Sequence, residues 1–515
     1  VNTSMTAAVP DGGASPIWPK ILAALAGMAA AIGHAPFDLW IIALIAFAML
    51  LHLGAAARSP RLGAGLFWLG GTSYFAVALN WLVEPFLVDA ATTGWMAPFA
   101  LAAMAGGLAL FWWLAAYLAL RLLPQASKGA RIAGLVGLLL LAETARAVVF
   151  TGFPWAHPGH VLIGGPLLPL AGVAGAHGLT LVVLAIAGGM AYFGTARPLA
   201  AMAVLSVLLV VAIRLDATVL PPPPPTPDAP VIRLVQPNAP QHLKWRADMI
   251  PVFFQRGLSL TAQASARLPD LVIWPETSLP VLLDNSASER ARIAAAARGA
   301  MTLIGAQRFA GFLPRNSLAL LDRNGEILSV YDKHRLVPFG EYMPGGMVAE
   351  ALGLRGLAER LDGGYRPGPG PELIALGDSL GQAFAMVCYE AIFARDLART
   401  PRGDWMVQVT NDAWFGRFSG PYQHLALARL RAAEQGLPLL RAANTGVSAV
   451  IDARGGIVAM LPLNTAGALD APLPVAMPPT LYAKTGDAPI ILIVLLATAG
   501  LLVHARRRQA LRPGP

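Results

Sequence analysis

Cysteine is all but absent from the chain: Cys388 is the only one in 515 residues. That excludes an intramolecular disulfide and any cysteine metal cluster. Charge is scarce as well, at 13% of residues against a hydrophobic fraction of 56%. Soluble globular chains do not have this balance; such a chain spans a membrane or aggregates. The net charge of +9 comes without the basic stripe and interleaved aromatics of nucleic-acid binding, so nucleic acid is set aside as a partner. Basic loops beside membrane spans account for much of the excess.

Long apolar runs are what the chain does have. Stretches near the ~20 residues needed to cross a bilayer occur at 20–34, 37–55, 63–84, 95–122, 131–151, 166–193, 197–215 and 488–504. Lys and Arg fall in alternate loops: Arg58 and Arg61, then Arg121, Lys128 and Arg131, then Arg197, then Arg506, Arg507 and Arg508. The intervening loops, His34 to Asp38, Glu84 to Asp89 and Thr151 to Gly165, carry none. By the positive-inside rule both termini are then cytoplasmic, and the segment from 216 to 487 lies on the opposite face. The expected organisation is a membrane domain of about seven helices at 1–219, a catalytic domain at 220–487, and a helix with a basic tail at 488–515. Within the membrane part, Trp81, Trp112 and Trp155 read as interfacial belt residues. Glu143 and Arg146, on one helix face, read as a mutual ion pair.

The segment outside the cytoplasm opens on Pro221 to Pro225, a stiff linker. Beyond it, short apolar runs end in polar residues: VIRLVQPN (231–238), LVIWPE (271–276), TLIGAQR (302–308), NSLALLD (316–322), AFAMVCYE (383–390), WMVQVTND (405–412) and GVSAVID (446–452). These read as buried strands. Helical patterns at Ser286 to Arg298 and His424 to Glu434 lie between them, the order of an α/β domain.

Three strand ends carry candidate chemistry. Glu276 follows LVIW, Lys333 follows a strand with Glu341 eight residues later, and Cys388 follows AFAMV, with Tyr389 and Glu390 next. A thiol nucleophile needs a base, and an ammonium beside it stabilises both thiolate and oxyanion. Each residue also has a plainer reading. Cys388 serves equally as a small buried apolar group, Lys333 and Glu341 as a surface ion pair, and Glu276 as a cap on the turn from Thr277 to Pro280. Trp414 and Phe415 suit a core, and His424 reads as a hydrogen-bonded structural residue. Neither a metal site nor a cofactor motif stands out.

The Glu, Lys and Cys segments resemble the nitrilase, or carbon–nitrogen hydrolase, superfamily, and more closely the apolipoprotein N-acyltransferases. The resemblance rests on WPET (274–277), YDKHRLVPFGEYMP (331–344), VCYE (387–390), the run from NDAWFG at 411 to VID at 452, and GFPW (152–155). It covers nearly the whole chain. It implies an αββα sandwich on a bundle of about eight membrane helices, held in the bacterial inner membrane with the catalytic domain in the periplasm. By the same resemblance Cys388 is the nucleophile, Glu276 the general base and Lys333 the oxyanion-stabilising group. Glu341, Tyr389 and Glu390 are then tied to activity, and Trp245, in HLKW, sits on an arm near the lipid mouth. The implied donor is a phospholipid, and the implied acceptor is the amine of a diacylglyceryl-cysteine on an apolipoprotein. Two departures, His160 in place of a commoner tyrosine and NTG (444–446) in place of NNG, lie outside the proposed triad. The rival readings are a membrane-tethered amidase that passes its acyl group to water, and a transporter or lipid-binding protein with an inactive outer domain.

Overall fold

The computed structural model describes residues 17–194, 223–344 and 364–510. Helices at Trp18–Ala31, Trp40–Ala56, Pro60–Ala78, Ala97–Leu122, Lys128–Arg146 and Ala171–Phe193 fall on expected spans, and Ala488–Ala510 packs on them from the far end of the chain. The expected span at 197–215 lies outside the described residues, as do Pro221 and Pro222 of the linker. Among the described residues three helices are long and apolar enough to cross a membrane: Ala90–Leu122, Leu168–Phe193 and Ala488–Arg508. A fourth crossing is formed if Pro60–Ala78 and Asn80–Leu87, bent by 66°, count as one.

Small residues let these helices approach closely. A Cβ on Gly27 would lie only 1.9 Å from the Gly70 carbonyl oxygen. Glu143 and Arg146 do pair, at 2.5 Å, and the pair has further work. Arg146 donates to the carbonyls of Phe153 and Trp155 at 2.6 and 2.8 Å, fixing the turn that follows the helix. The interfacial reading of the tryptophans is corrected: Trp81, Trp112 and Trp155 are buried. Each indole N–H finds an acceptor inside the protein, Glu143 for Trp112 at 2.7 Å and Gln423 for the other two, which satisfies it better than a lipid headgroup layer would.

The strands form two six-stranded sheets. One runs β12-β1-β2-β3-β4-β5 and the other β11-β10-β9-β8-β7-β6. In chain order these are β1 (Val231–Gln236), β2 (Leu271–Ile273), β3 (Met301–Ala310), β4 (Leu313–Leu321), β5 (Ile327–Asp332), β6 (Leu373–Ala375), β7 (Gln382–Val387), β8 (Trp405–Thr410), β9 (Leu439–Ala443), β10 (Ser448–Ile451), β11 (Ile457–Leu461) and β12 (Gly467–Pro472). Side chains alternate between faces along each strand. Leu271 and Ile273 join the inner core with Val407 and Val409 of the opposite sheet. Val272, between them, packs outward with Phe254, Leu258 and Ile293 of the helices Ile250–Thr261 and Ala287–Ala297. On the other side Phe384, Met386 and Met406 pack on Leu425, Ala428 and Ala432 of the helix Gly420–Gln435. The layers are therefore αββα.

The helix Gly420–Gln435 also joins the sandwich to the membrane helices. Gln423 Oε1 accepts from the indoles of Trp81 (3.3 Å) and Trp155 (2.8 Å), and its amide donates to the Ala78 carbonyl at 2.9 Å. Further along, Glu434 Oε1 accepts from the Ala176 N–H at 3.1 Å. That N–H is freed where Gly175, at φ 63°, breaks the helix Ala171–Phe193. A residue with a Cβ would be strained there.

Candidate active site

In layered α/β folds, groups just past the carboxyl ends of neighbouring parallel strands converge. Glu276 lies three residues past β2, Lys333 directly past β5, Cys388 directly past β7, and Asn411 past β8. Here the ends of both sheets meet at one buried place.

Glu276 and Lys333 are both buried. Glu276 Oε1 lies 3.4 Å from Lys333 Nζ and accepts from Asn316 Nδ2 at 2.8 Å; its Oε2 accepts from the Asn411 N–H at 2.8 Å. Lys333 Nζ donates to Glu341 Oε1 at 2.8 Å. Glu341 is itself held by Asn316 at 3.1 Å and by the Val337 N–H at 2.8 Å. One ammonium is thus shared by two carboxylates. Burial alone would push the lysine down, but Glu341 and Glu276 outweigh it and hold the ammonium well above its ordinary range. Lys333 stays charged.

Cys388 is buried and has φ +51°, in the left-handed region. A side chain other than glycine costs about 1–3 kcal/mol there, and such residues cluster at reactive sites. Burial first, then the Glu276 carboxylate, push the thiol far above its ordinary range; Lys333 and Thr410 oppose them. The resting group is therefore the thiol. Glu276 is close enough for its charge to act on the sulfur.

Glu390 lies in the short helical turn Cys388–Ile392. Its Oε2 accepts from the Val387 N–H at 2.7 Å, and its Oε1 accepts from Tyr331 Oη and the His334 N–H, both at 2.8 Å. It ties the cysteine turn to the strand end that presents Lys333. Tyr389 is buried against Phe393, rings 5.1 Å apart and nearly perpendicular. Trp245 stands apart. It is 42% exposed and lines a small cleft with Phe253, Phe254, Trp274 and Asn444. Beside it Lys244 donates to Thr277 Oγ1 at 2.8 Å and the Glu276 carbonyl at 3.2 Å, and burial pushes its amine down to about 8.

His334 bridges Glu390 (2.7 Å) and Asp396 (3.1 Å). Burial would lower it, but the two carboxylates raise it to about 9. With the folded value above the unfolded one, its contribution to stability is complete below about pH 6.5 and is lost as pH climbs through about 9. The melting advantage of the wild type over His334→Gln is therefore expected to be full near pH ~6 and gone by pH ~10. A constant advantage across that range would contradict it.

Sequence reasoning missed Asn316 and Gln408, polar residues inside strands with no motif of their own. Asp412, His424 and Arg441 lie in the segment singled out, but nothing there marked them as partners.

The chain matches the carbon-nitrogen hydrolase family over residues 232–477 and the apolipoprotein N-acyltransferase N-terminal domain over residues 26–189. It is 40% identical to an apolipoprotein N-acyltransferase of Caulobacter vibrioides, across 92% of this chain and 93% of that one. It is 38% identical to the one of Rhodopseudomonas palustris, across 95% of each. Among solved structures it is similar to an amidase from Nesterenkonia sp., 18% identical with a TM-score of 0.35, across 52% of this chain and 97% of that one. With curated relatives matched over more than nine-tenths of both chains at this identity, the chain belongs to the apolipoprotein N-acyltransferase family.

Proposed function

We propose that this N-acyltransferase works through a thioester on Cys388, with Glu276 as the base and Lys333 as the oxyanion partner. The observation that carries the assignment is the buried meeting of the chain's only thiol with a carboxylate and a permanently charged ammonium. Glu276 takes the thiol proton as sulfur attacks the ester carbonyl carbon of a phospholipid. Negative charge develops on the carbonyl oxygen beside Lys333 Nζ. The carbon–oxygen bond then breaks, and the leaving glyceryl oxygen takes the proton back from Glu276 as the lysophospholipid departs. In the second half the amine of a diacylglyceryl-cysteine attacks the thioester and loses a proton to Glu276. The carbon–sulfur bond breaks, the thiolate recovers that proton, and the product is an amide.

A phospholipid donor requires the site to lie at the membrane, since withdrawing an acyl chain costs about 0.8 kcal/mol per CH₂. The bonds from Gln423 to Trp81 and Trp155 support that placement. The alternation of basic loops supports a multi-pass inner-membrane protein of about eight spans, with domain limits at 1–219, 220–487 and 488–515 and the sandwich in the periplasm. One experiment tests the transfer and the topology together. Spheroplasts depleted of their own activity and supplied with this chain are given a labelled diacylglyceryl-cysteine peptide from outside. The peptide is expected to gain an amide-linked acyl chain. Release of free fatty acid instead would make the chain a hydrolase, and acylation only after the inner membrane is breached would reverse the topology.

A further inference from the structure

Beneath the nucleophile lies a buried polar network that the reaction scheme does not use. Gln408, Asp412, His424 and Arg441 are each fully or almost fully buried. Arg441 Nη1 donates to Gln408 Oε1 at 2.5 Å, and its Nη2 donates to Asp412 Oδ2. Gln408 Nε2 lies 3.0 Å from the Cys388 carbonyl oxygen and 2.9 Å from His424 Nε2. His424 Nδ1 lies 2.9 Å from Asp412 Oδ1, which also accepts from Thr410 Oγ1 at 2.9 Å.

Donor and acceptor logic fixes the orientation of the Gln408 amide. Arg441 has only donors, so the Gln408 amide must turn its oxygen to the guanidinium and its NH₂ to Cys388 and His424. That NH₂ donates to the Cys388 carbonyl, and His424 Nε2 lies 3.1 Å from the same oxygen. The imidazole therefore spans from Asp412 Oδ1 to that carbonyl, with Arg441 Nη2 3.3 Å from its Nδ1. Burial and Arg441 lower the histidine, and Arg441 and His424 hold Asp412 at about 2 against its own burial.

We propose that Gln408, locked by Arg441 and set beside His424, is a positioning residue for the acyl-transfer reaction: its amide clamps the Cys388 carbonyl and thereby holds the left-handed turn that presents the thiol. The peptide unit joining Cys388 to Tyr389 is planar, so pinning its oxygen also fixes the direction of the Tyr389 N–H at the other end. A turn at φ +51° persists only where its surroundings over-determine it. Gln408 supplies that constraint from the middle of β8, a rigid strand of the sheet.

The proposal rests on Cys388 being the nucleophile, and the test separates the two. In purified full-length protein, Gln408→Glu keeps an oxygen for Arg441 and removes both hydrogens of the clamp. It is expected to slow acyl-enzyme formation and aminolysis of the acyl-enzyme by a similar factor, about 100-fold, with the phospholipid KM changed by less than about threefold. Equal slowing is the discriminating readout, because both half-reactions use the same turn, whereas damage to one substrate's site would slow one of them. Wild-type rates, or loss in one half-reaction only, would overturn the proposal. If Gln408→Glu does not fold in the membrane, His424→Leu and His424→Gln decide. The leucine variant is expected to be slow and the glutamine variant, which restores a polar partner beside the Gln408 amide and the Cys388 carbonyl, to recover at least about tenfold of the loss. Equal rates in the two would overturn the clamp. An acyl adduct persisting in Cys388→Ala would instead overturn the nucleophile assignment on which the clamp depends.

Discussion

Cys388→Ala is expected to form no acyl adduct with phospholipid and to lose turnover by about 10⁴-fold or more, while remaining folded in the membrane. The loss is large because the thiol supplies the bond on which both half-reactions depend. Glu276, Lys333 and the lipid-binding surfaces are left intact but have nothing to activate. The effect on stability is small for a separate reason. Cys388 is buried, yet a single sulfur atom leaves a cavity worth roughly 1 kcal/mol, and alanine meets the same backbone constraint at φ +51° that cysteine does. Intact mass after incubation with phospholipid reads the adduct, and thermal unfolding of the same preparation reads the fold. An adduct on the alanine variant, or turnover near the wild-type rate, would remove Cys388 from the mechanism.

How much of this was legible in the sequence depended on where each partner lies along the chain. Glu276, Lys333 and Cys388 could be singled out because each follows an apolar run that reads as a strand, and strand ends are where such folds place chemistry. What holds them could not. The carboxylate of Glu276 is fixed by the N–H of Asn411, 135 residues away, and by Asn316, 40 residues away; the first contact exists only once the two sheets are stacked, the second only once β2 and β4 share a sheet. Gln408 stands mid-strand in WMVQVT, where a polar residue gives no sign of whether it faces solvent or another buried group. β9 went unread for a related reason: LLRAA has no β-branched residue, and its charged Arg441 is fully buried, against the usual habit of that side chain. Trp155 read as a belt residue because a tryptophan near the end of a span usually is one. Its acceptor, Gln423, comes from the other domain 268 residues later.

Lys333→Met is expected to destabilise the catalytic domain and to abolish acylation, and a second substitution separates the two effects. Lys333 is 1% exposed, with carboxylates at 2.8 and 3.4 Å. Removing the ammonium leaves Glu276 and Glu341 facing each other without a counter-ion. Breaking a buried pair in this way costs about 3–5 kcal/mol, which should lower the melting temperature by roughly 10 °C. Loss of the oxyanion partner should independently slow acylation by about 10²–10³-fold. In the double variant Lys333→Met/Glu341→Gln the surplus charge is relieved, so much of the melting temperature is expected to return. Acylation is not, because nothing then stabilises the oxygen on which charge develops. Recovery of acylation together with stability would mean that Lys333 only balances two carboxylates, the plain ion-pair reading that its place in the sequence left open. Stability regained without activity would place its charge in the transition state.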